Sequence, residues 1–335
     1  MEKILFGKMQ SGTEVYSYKL ENDKIFVEII TYGAIMKAFG AVDSERINVI
    51  GSYSTLEDYR NDTTYQGALI GRVANRIENA KFTLDGIEYN LVKNDGVNCH
   101  HGGDGFNSKV WTVEEVGDDF ITLSYYSKDG ESGFPGAVSA KVKYTLCDEA
   151  LVISYSAIPD KKTPISLTSH PYFNLDGMGS YIYSHKIAVF ADTYSEVNSN
   201  HSPTGEHPAV DGTILDLRSP RLMGDALKDF YGYDHNFCLS PKEYGYFLGQ
   251  KLGLAATATN GKLNLSTYTD LPGIQLYTAN ALKSLPDFAG GIKKMNHGAF
   301  CLEAQFEPNS VNRGIGIFDA GEEFRYTTVY ELKKI

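Results

Sequence analysis

Short runs that alternate between apolar and polar positions dominate the chain. Glu14-Val15-Tyr16-Ser17-Tyr18-Lys19-Leu20 and Lys24-Ile25-Phe26-Val27-Glu28-Ile29-Ile30 are strand-length and rich in β-branched or aromatic residues. Lys81 to Leu91 holds two half-apolar runs around Asp85-Gly86, a hairpin signal because such a turn needs positive φ. Asn260-Gly261 separates a second pair, Leu254 to Thr259 and Lys262 to Thr269. Asp129-Gly130 and Asp211-Gly212 mark further turns, and Phe324 to Leu332 reads as a closing strand. Helical periodicity is confined to brief stretches around Leu56 to Arg60 and Leu222 to Phe230.

No linker, charge block, heptad or fixed-period repeat divides the chain. The pattern therefore predicts a single large all-β domain over residues 1–335. It does not separate a sandwich from a barrel or a propeller. The 33 glycines and 23 tyrosines suit an antiparallel architecture with many turns and half-exposed sheet faces.

With 42% hydrophobic residues the chain can build a sizeable core. A formal charge of −11 argues against nucleic acid and acidic membranes as partners, since both need clustered positive charge. Met1-Glu2-Lys3-Ile4-Leu5-Phe6 turns polar too soon for a signal peptide, and no stretch approaches the ~20 apolar residues of a membrane span. Cys99, Cys147, Cys238 and Cys301 are scattered, with no C-x-x-C pair, so free thiols and a cytoplasmic location are expected. The glycosylation-type triplets at Asn61 and Asn264 are read as chance matches.

Several polar clusters stand out. Gly71-Arg72-Val73-Ala74-Asn75-Arg76-Ile77 sets an amide beside a guanidinium, suited to binding a hydroxyl or carboxylate, though a structural salt bridge at a strand end is the simpler reading. In Asn98-Cys99-His100-His101-Gly102-Gly103, adjacent strand residues point to opposite faces, so joint metal chelation by the histidines is not expected. The glycines permit close backbone approach; the histidine could bind a ligand or sit half-exposed in a loop. In Thr168-Ser169-His170-Pro171-Tyr172-Phe173-Asn174, His170 precedes a proline and is biased toward extended backbone. It could serve as an acid–base group or as a hydrogen-bonded core residue.

Asp234 sits in a loop-like aromatic context and could equally cap a turn, while Gln275 and Tyr277 share one face of a strand that could be solvated. Cys301, Glu303 and Gln305 alternate with the apolar Phe300, Leu302, Ala304 and Phe306, which leaves Glu303 facing solvent or a cleft. Taken singly, solvent is the simpler reading. Phosphate-loop, dinucleotide, zinc-protease and nucleophile-elbow motifs do not occur, so neither a cofactor nor a metal is expected.

These clusters, in this order, resemble the aldose 1-epimerase (galactose mutarotase) family, and the agreement from Arg72 to Glu303 covers most of the chain. Each motif alone is weak, whereas the ordered set is specific. The resemblance implies a large antiparallel β-supersandwich of the galactose mutarotase type, with Glu303 as general base and His170 as general acid. It also implies that Arg76, His101 and Asp234 contact substrate, with Asn75, Gln275 and Tyr172 as further contacts. His101 is preferred to His100 because it directly precedes the glycine pair. The implied substrate is a free monosaccharide whose α and β anomers are interconverted. A homodimer is left open. A hexose 6-phosphate enzyme, which would need a basic cluster, and a non-catalytic carbohydrate-binding protein are the alternatives.

Overall fold

The computed structural model describes residues 1–42, 46–198, 202–284 and 286–335. Four consecutive antiparallel strands, Glu2–Lys8, Glu14–Glu21, Ile25–Ile30 and Ile35–Ala41, form an N-terminal meander. A ten-stranded sheet follows, with Val138–Cys147, Ala150–Pro159, Phe324–Lys334, Leu263–Thr269 and Gln250–Thr259 side by side in its middle. The closing strand predicted at Phe324 is therefore central: it pairs Ala150–Pro159 on one side and Leu263–Thr269 on the other. Chain end and chain middle are locked together by these long-range ladders.

The hairpin expected at Asp85-Gly86 is present, with φ of 50° and 80° at the two turn residues, as a two-residue loop with both φ positive requires. Of the two helical segments, only the second is shorter than its pattern suggests. Leu56–Asn61 is closed by a capping box between Thr55 and Asp58. The second predicted stretch is helical only over Met223–Ala226. Gly224 weakens helix propensity there, and a Cβ on it would come within 3.0 Å of the Tyr183 carbonyl oxygen.

A third sheet of four strands carries the site: Ala191–Tyr194, Asp234–Leu239, Gly273–Tyr277 and Cys301–Gln305, neighbours in that order. Strand alternation splits its side chains into two sets. Phe237, Ile274, Leu276, Leu302 and Ala304 join one core cluster with Leu20 and Val27 of the meander and with Val142, Ile153 and Leu265 of the large sheet. That cluster makes the architecture a sandwich. Truncating a fully buried member such as Leu302 to Ala would cost about 2–5 kcal/mol. Tyr330 of the closing strand donates its hydroxyl to the Leu302 carbonyl at 2.8 Å, pinning the site sheet to the large one. The opposite set, Asp234, Asn236, Gln275, Tyr277, Cys301, Glu303 and Gln305, is the polar face.

Candidate active site

Register brings the polar residues of three strands together. Gln275 pairs with Asn236 on one side and with Glu303 on the other, and Tyr277 pairs with Asp234 and Cys301. Gln275 Nε2 donates to Asp234 Oδ1 at 2.7 Å. Asp234 is thus the first residue of a strand rather than a loop residue. Neither Gln275 nor Glu303 is solvated: they are 4% and 2% exposed. The solvent reading of Glu303 fails because this sheet is covered on both faces, the polar one by the segments that carry the histidines.

His170 is delivered by backbone pairing. The Thr168–Ser169 strand lies against Leu69–Ile70, the His170 N–H donates to the Ala68 carbonyl, and the His170 carbonyl accepts from the Gly67 N–H. Three residues on, Phe173 and Phe300 exchange both main-chain bonds. The extended backbone before Pro171 therefore runs beside the start of the Cys301–Gln305 strand. His170 Nε2 lies 3.5 Å from Glu303 Oε2, and Nδ1 lies 3.7 Å from Cys301 Sγ. The His170 ring is buried, and it also lines the cavity.

The histidine pair departs from strand geometry. Arg76–Ile77 pairs with Cys99–His100, but the strand ends there, and His101 has φ of 52°. Both rings consequently line the same cavity, their centroids 3.7 Å apart, instead of pointing to opposite faces. His101 is 2% exposed, so the half-exposed alternative is also overturned. The glycines do what was expected of them. A Cβ on Gly102, whose φ is 77°, would lie 2.3 Å from the Gly71 carbonyl oxygen. Asn75, at φ 62°, donates its main-chain N–H to His101 Nδ1 at 3.2 Å. That bond places the proton of a neutral His101 on Nε2.

The arginines divide. Arg72 is a structural tie that donates to the carbonyls of Pro135, Gly136 and Lys128 and to Ser127 Oγ. Arg76 lines the cavity, with its Nε–H on Asp95 at 2.7 Å. The strand-end salt bridge considered for this segment is real, and it orients a cavity residue. Asn75, Arg76, His101, His170, Tyr172, Asp234, Gln275 and Glu303 all border one cavity of about 630 Å³. Arg76 is the one Lys or Arg along its wall among the described residues, so no phosphate-binding basic cluster is present there.

The sequence reading missed Tyr65. With φ of 58° it lays its ring edge-on over His101, centroids 4.7 Å apart, and 6.2 Å from His170. Asp62 fixes this turn by accepting from Thr64 and Gln66 N–H groups and from the Tyr53 hydroxyl, with Lys294 at 3.4 Å. Thr63-Thr64-Tyr65 carries no periodic or motif signal, and only the fold brings it to the histidines.

Burial dominates the electrostatics. It pushes the Glu303 carboxyl well above the usual carboxylate range, with Asp234 reinforcing the shift and Arg76 opposing it. It lowers His170 to about 4, against a weaker opposing pull from its own carbonyl and Asp62. His101 is likewise held well below the ordinary histidine value by burial. The carboxyl and both rings thus favour their neutral forms.

One ligand atom each from His101, His170 and Glu303 falls within 4.8 Å of the others, a spacing compatible with a metal ion. The donor set does not fit. The proton that Asn75 forces onto Nε2 makes His101 a donor toward the cavity where a metal needs a lone pair. The Glu303 Oε2 and Gln275 Oε1 atoms are buried without a hydrogen-bond partner among the described residues. N–H donors and waiting oxygen acceptors together suit a ligand with many hydroxyls.

A buried imidazole and a buried carboxyl thus meet in the polar cavity of an antiparallel sandwich. The sequence profile of the aldose 1-epimerase family matches residues 16–331, and the chain belongs to that family. Its reaction is accordingly the interconversion of the α and β anomers of a free aldose. It is 39% identical to galactose mutarotase of Sus scrofa over 336 residues, covering 97% of this chain and 96% of the relative. Aldose 1-epimerase of Escherichia coli K12 is 34% identical over 289 residues, 82% of each chain. The crystal structure of galactose 1-epimerase from Lactobacillus acidophilus superposes with a TM-score of 0.87 at 24% identity, covering 99% and 98% of the two chains. No helix among the described residues is long and apolar enough to cross a membrane.

Proposed function

We propose that Glu303 and His170 perform the two proton transfers of anomer exchange on aldohexoses such as galactose and glucose. The observation that carries this reading is the 3.5 Å approach of His170 Nε2 to Glu303 Oε2 in the wall of the cavity. Burial favours one shared proton: with it on Glu303 both groups are neutral, and with it on His170 the pair is carboxylate plus imidazolium, still of zero net charge. The second arrangement is the reactive one. Glu303 takes the proton of the C1 hydroxyl, His170 gives its Nε2 proton to the ring oxygen, and the C1–O5 bond breaks as the C1 carbonyl forms. Rotation about C1–C2 exposes the other carbonyl face. Reclosure returns both protons and yields the opposite anomer. Each positioned proton-transfer group contributes about 10² to 10⁴ in rate.

Arg76, His101 and Asn75 on one wall, and Asp234 with Gln275 on the other, hold the sugar hydroxyls so that C1 and O5 meet the pair in line. Tyr172, whose ring centroid lies 5.1 Å from that of His170, is a further contact. Galactose is favoured because the Sus scrofa relative is a galactose mutarotase. We further place the enzyme in the cytoplasm, supported by four free thiols. The chain acts as one unit over residues 1–335, and a homodimer would leave its chemistry unchanged because every group used lies on one chain.

Polarimetry of freshly dissolved α-galactose and α-glucose tests the substrate class, with a coupled assay of glucose 6-phosphate anomers beside it. Rapid exchange of the free sugars and at least tenfold slower exchange of the phosphate are expected. Preference for the phosphate would overturn the reading.

A further inference from the structure

The Cys301–Gln305 strand meets both nitrogens of the His170 ring. Cys301 Sγ lies 3.7 Å from Nδ1 and Glu303 Oε2 lies 3.5 Å from Nε2. The two residues are i and i+2 on one strand face, so their side chains stand ~6.7 Å apart, wide enough to take an imidazole between them. Both are almost completely buried, and their strand is fixed by its ladder to Gly273–Tyr277 and by the Tyr330 bond to Leu302. We propose that Cys301 is a positioning residue for the reaction: its thiol grips the Nδ1 edge of His170 and holds the ring so that Nε2 faces Glu303 and the sugar ring oxygen. This rests on the assignment of His170 as the acid.

A thiol suits the place for two reasons. S–H is a weak donor and sulfur a weak acceptor, so one rotor can serve Nδ1 with or without its proton. The thiol is also neutral, because burial pushes Cys301 well above its ordinary value and keeps it S–H. A carboxylate at that edge would favour the imidazolium and make His170 a weaker acid. The sugar ring oxygen is a poor base, so a donor of low proton affinity is the better catalyst. The other titratable groups around the ring are Glu303 on the Cys301 strand, His100, His101, Tyr65, Tyr172 and the nearby Asp62. Among the described residues, Cys301 is the side chain that reaches Nδ1.

The full chain carrying Cys301→Ala and Cys301→Ser tests the proposal, by anomer exchange and by ¹⁵N NMR of the histidine rings. Cys301→Ala is expected to lower kcat about ten- to hundredfold, the scale of misplacing a reacting group, with KM within about twofold of wild type. Its His170 Nδ1 resonance should shift. Cys301→Ser supplies a hydroxyl and should recover most of kcat. Wild-type kcat in the alanine variant, or an unmoved Nδ1 resonance, overturns the role of Cys301 while leaving the acid–base assignment intact. If His170→Asn instead proves fully active, the assignment on which the proposal rests is what fails. Should Cys301→Ala not fold, the serine variant decides alone: an unchanged Nδ1 resonance on replacing sulfur by oxygen counts against the contact.

Discussion

Asp234 and Glu303 share one face of the site sheet from two strands that never touch, Gln275 standing on the strand between them. Asp234 reinforces the burial that makes a second negative charge at Glu303 unfavourable, so the Glu303 proton tends to stay within the pocket. Its nearest alternative home is His170 Nε2, 3.5 Å away. In the proposed mechanism the two groups share that proton, so the apparent values belong to the pair.

The first consequence is the pH–rate curve. A second proton on the pair leaves a buried positive charge, and its uptake is governed by the low His170 value of about 4. Loss of the last proton leaves a buried negative charge, governed by the raised Glu303 value. Activity should rise through about pH 4 and fall again as pH climbs through the raised Glu303 value. A single sigmoid, or a flat profile from pH 4 to 9, would count against the pair.

Removing either group should abolish most turnover without unfolding the chain. Glu303→Gln and His170→Asn are each expected to reduce kcat by about 10² to 10⁴, as read by polarimetry of freshly dissolved α-galactose. Circular dichroism should remain that of the wild type. Near-normal rates in either variant would sink the role assignment.

The same burial predicts a stability gain from a catalytic loss. Glu303 has a raised value in the folded chain, so its favourable contribution is complete below the unfolded value of ~4.5 and is lost as pH rises through the folded value. Between those limits the wild type loses about 1.4 kcal/mol per pH unit relative to a residue that cannot ionise. The melting temperature of Glu303→Gln, minus that of the wild type, should therefore increase from pH 5 to pH 7. A difference independent of pH would show that the carboxyl is not proton-bound in the fold.

The two arginines of one motif should fail in different ways. Arg76→Ala is expected to raise KM about tenfold or more, the loss of one charged hydrogen bond, with little change in melting temperature. Arg72→Ala would orphan several main-chain carbonyls and cost about 3 kcal/mol or more. Urea denaturation beside steady-state kinetics separates them. Equal effects on KM would remove the distinction.

How much of this was legible in the sequence depends on how local the cause was. Strand alternation identified the Cys301–Glu303–Gln305 face, and Asp85-Gly86 gave its hairpin, because both follow from side-chain direction and turn dihedrals. The ordered motifs named the cavity residues. Burial of Glu303 was not legible, since it depends on His170 arriving from a segment more than a hundred positions away. The meeting of His100 and His101 was hidden as well: one left-handed residue at the strand end reverses the alternation rule. Tyr65 had no signal, because the Asp62 turn that presents it is held by Tyr53 and by Lys294 from a distant part of the chain.

Tyr65 offers a direct test of burial as the cause of the His170 shift. Its ring shields His101 and stands beside His170, and desolvation is the largest influence lowering His170. Tyr65→Ala would admit water and let His170 return toward the ordinary ~6.5. A higher His170 value means that the pair takes its second proton sooner as pH falls, which silences the base. Activity at pH 5 should therefore drop several-fold more than activity at pH 7.5, and the acid limb should move up by about one unit or more. If Tyr65→Ala lowers activity equally at both values, the ring contributes contact with the sugar alone and burial of His170 is maintained by its other neighbours.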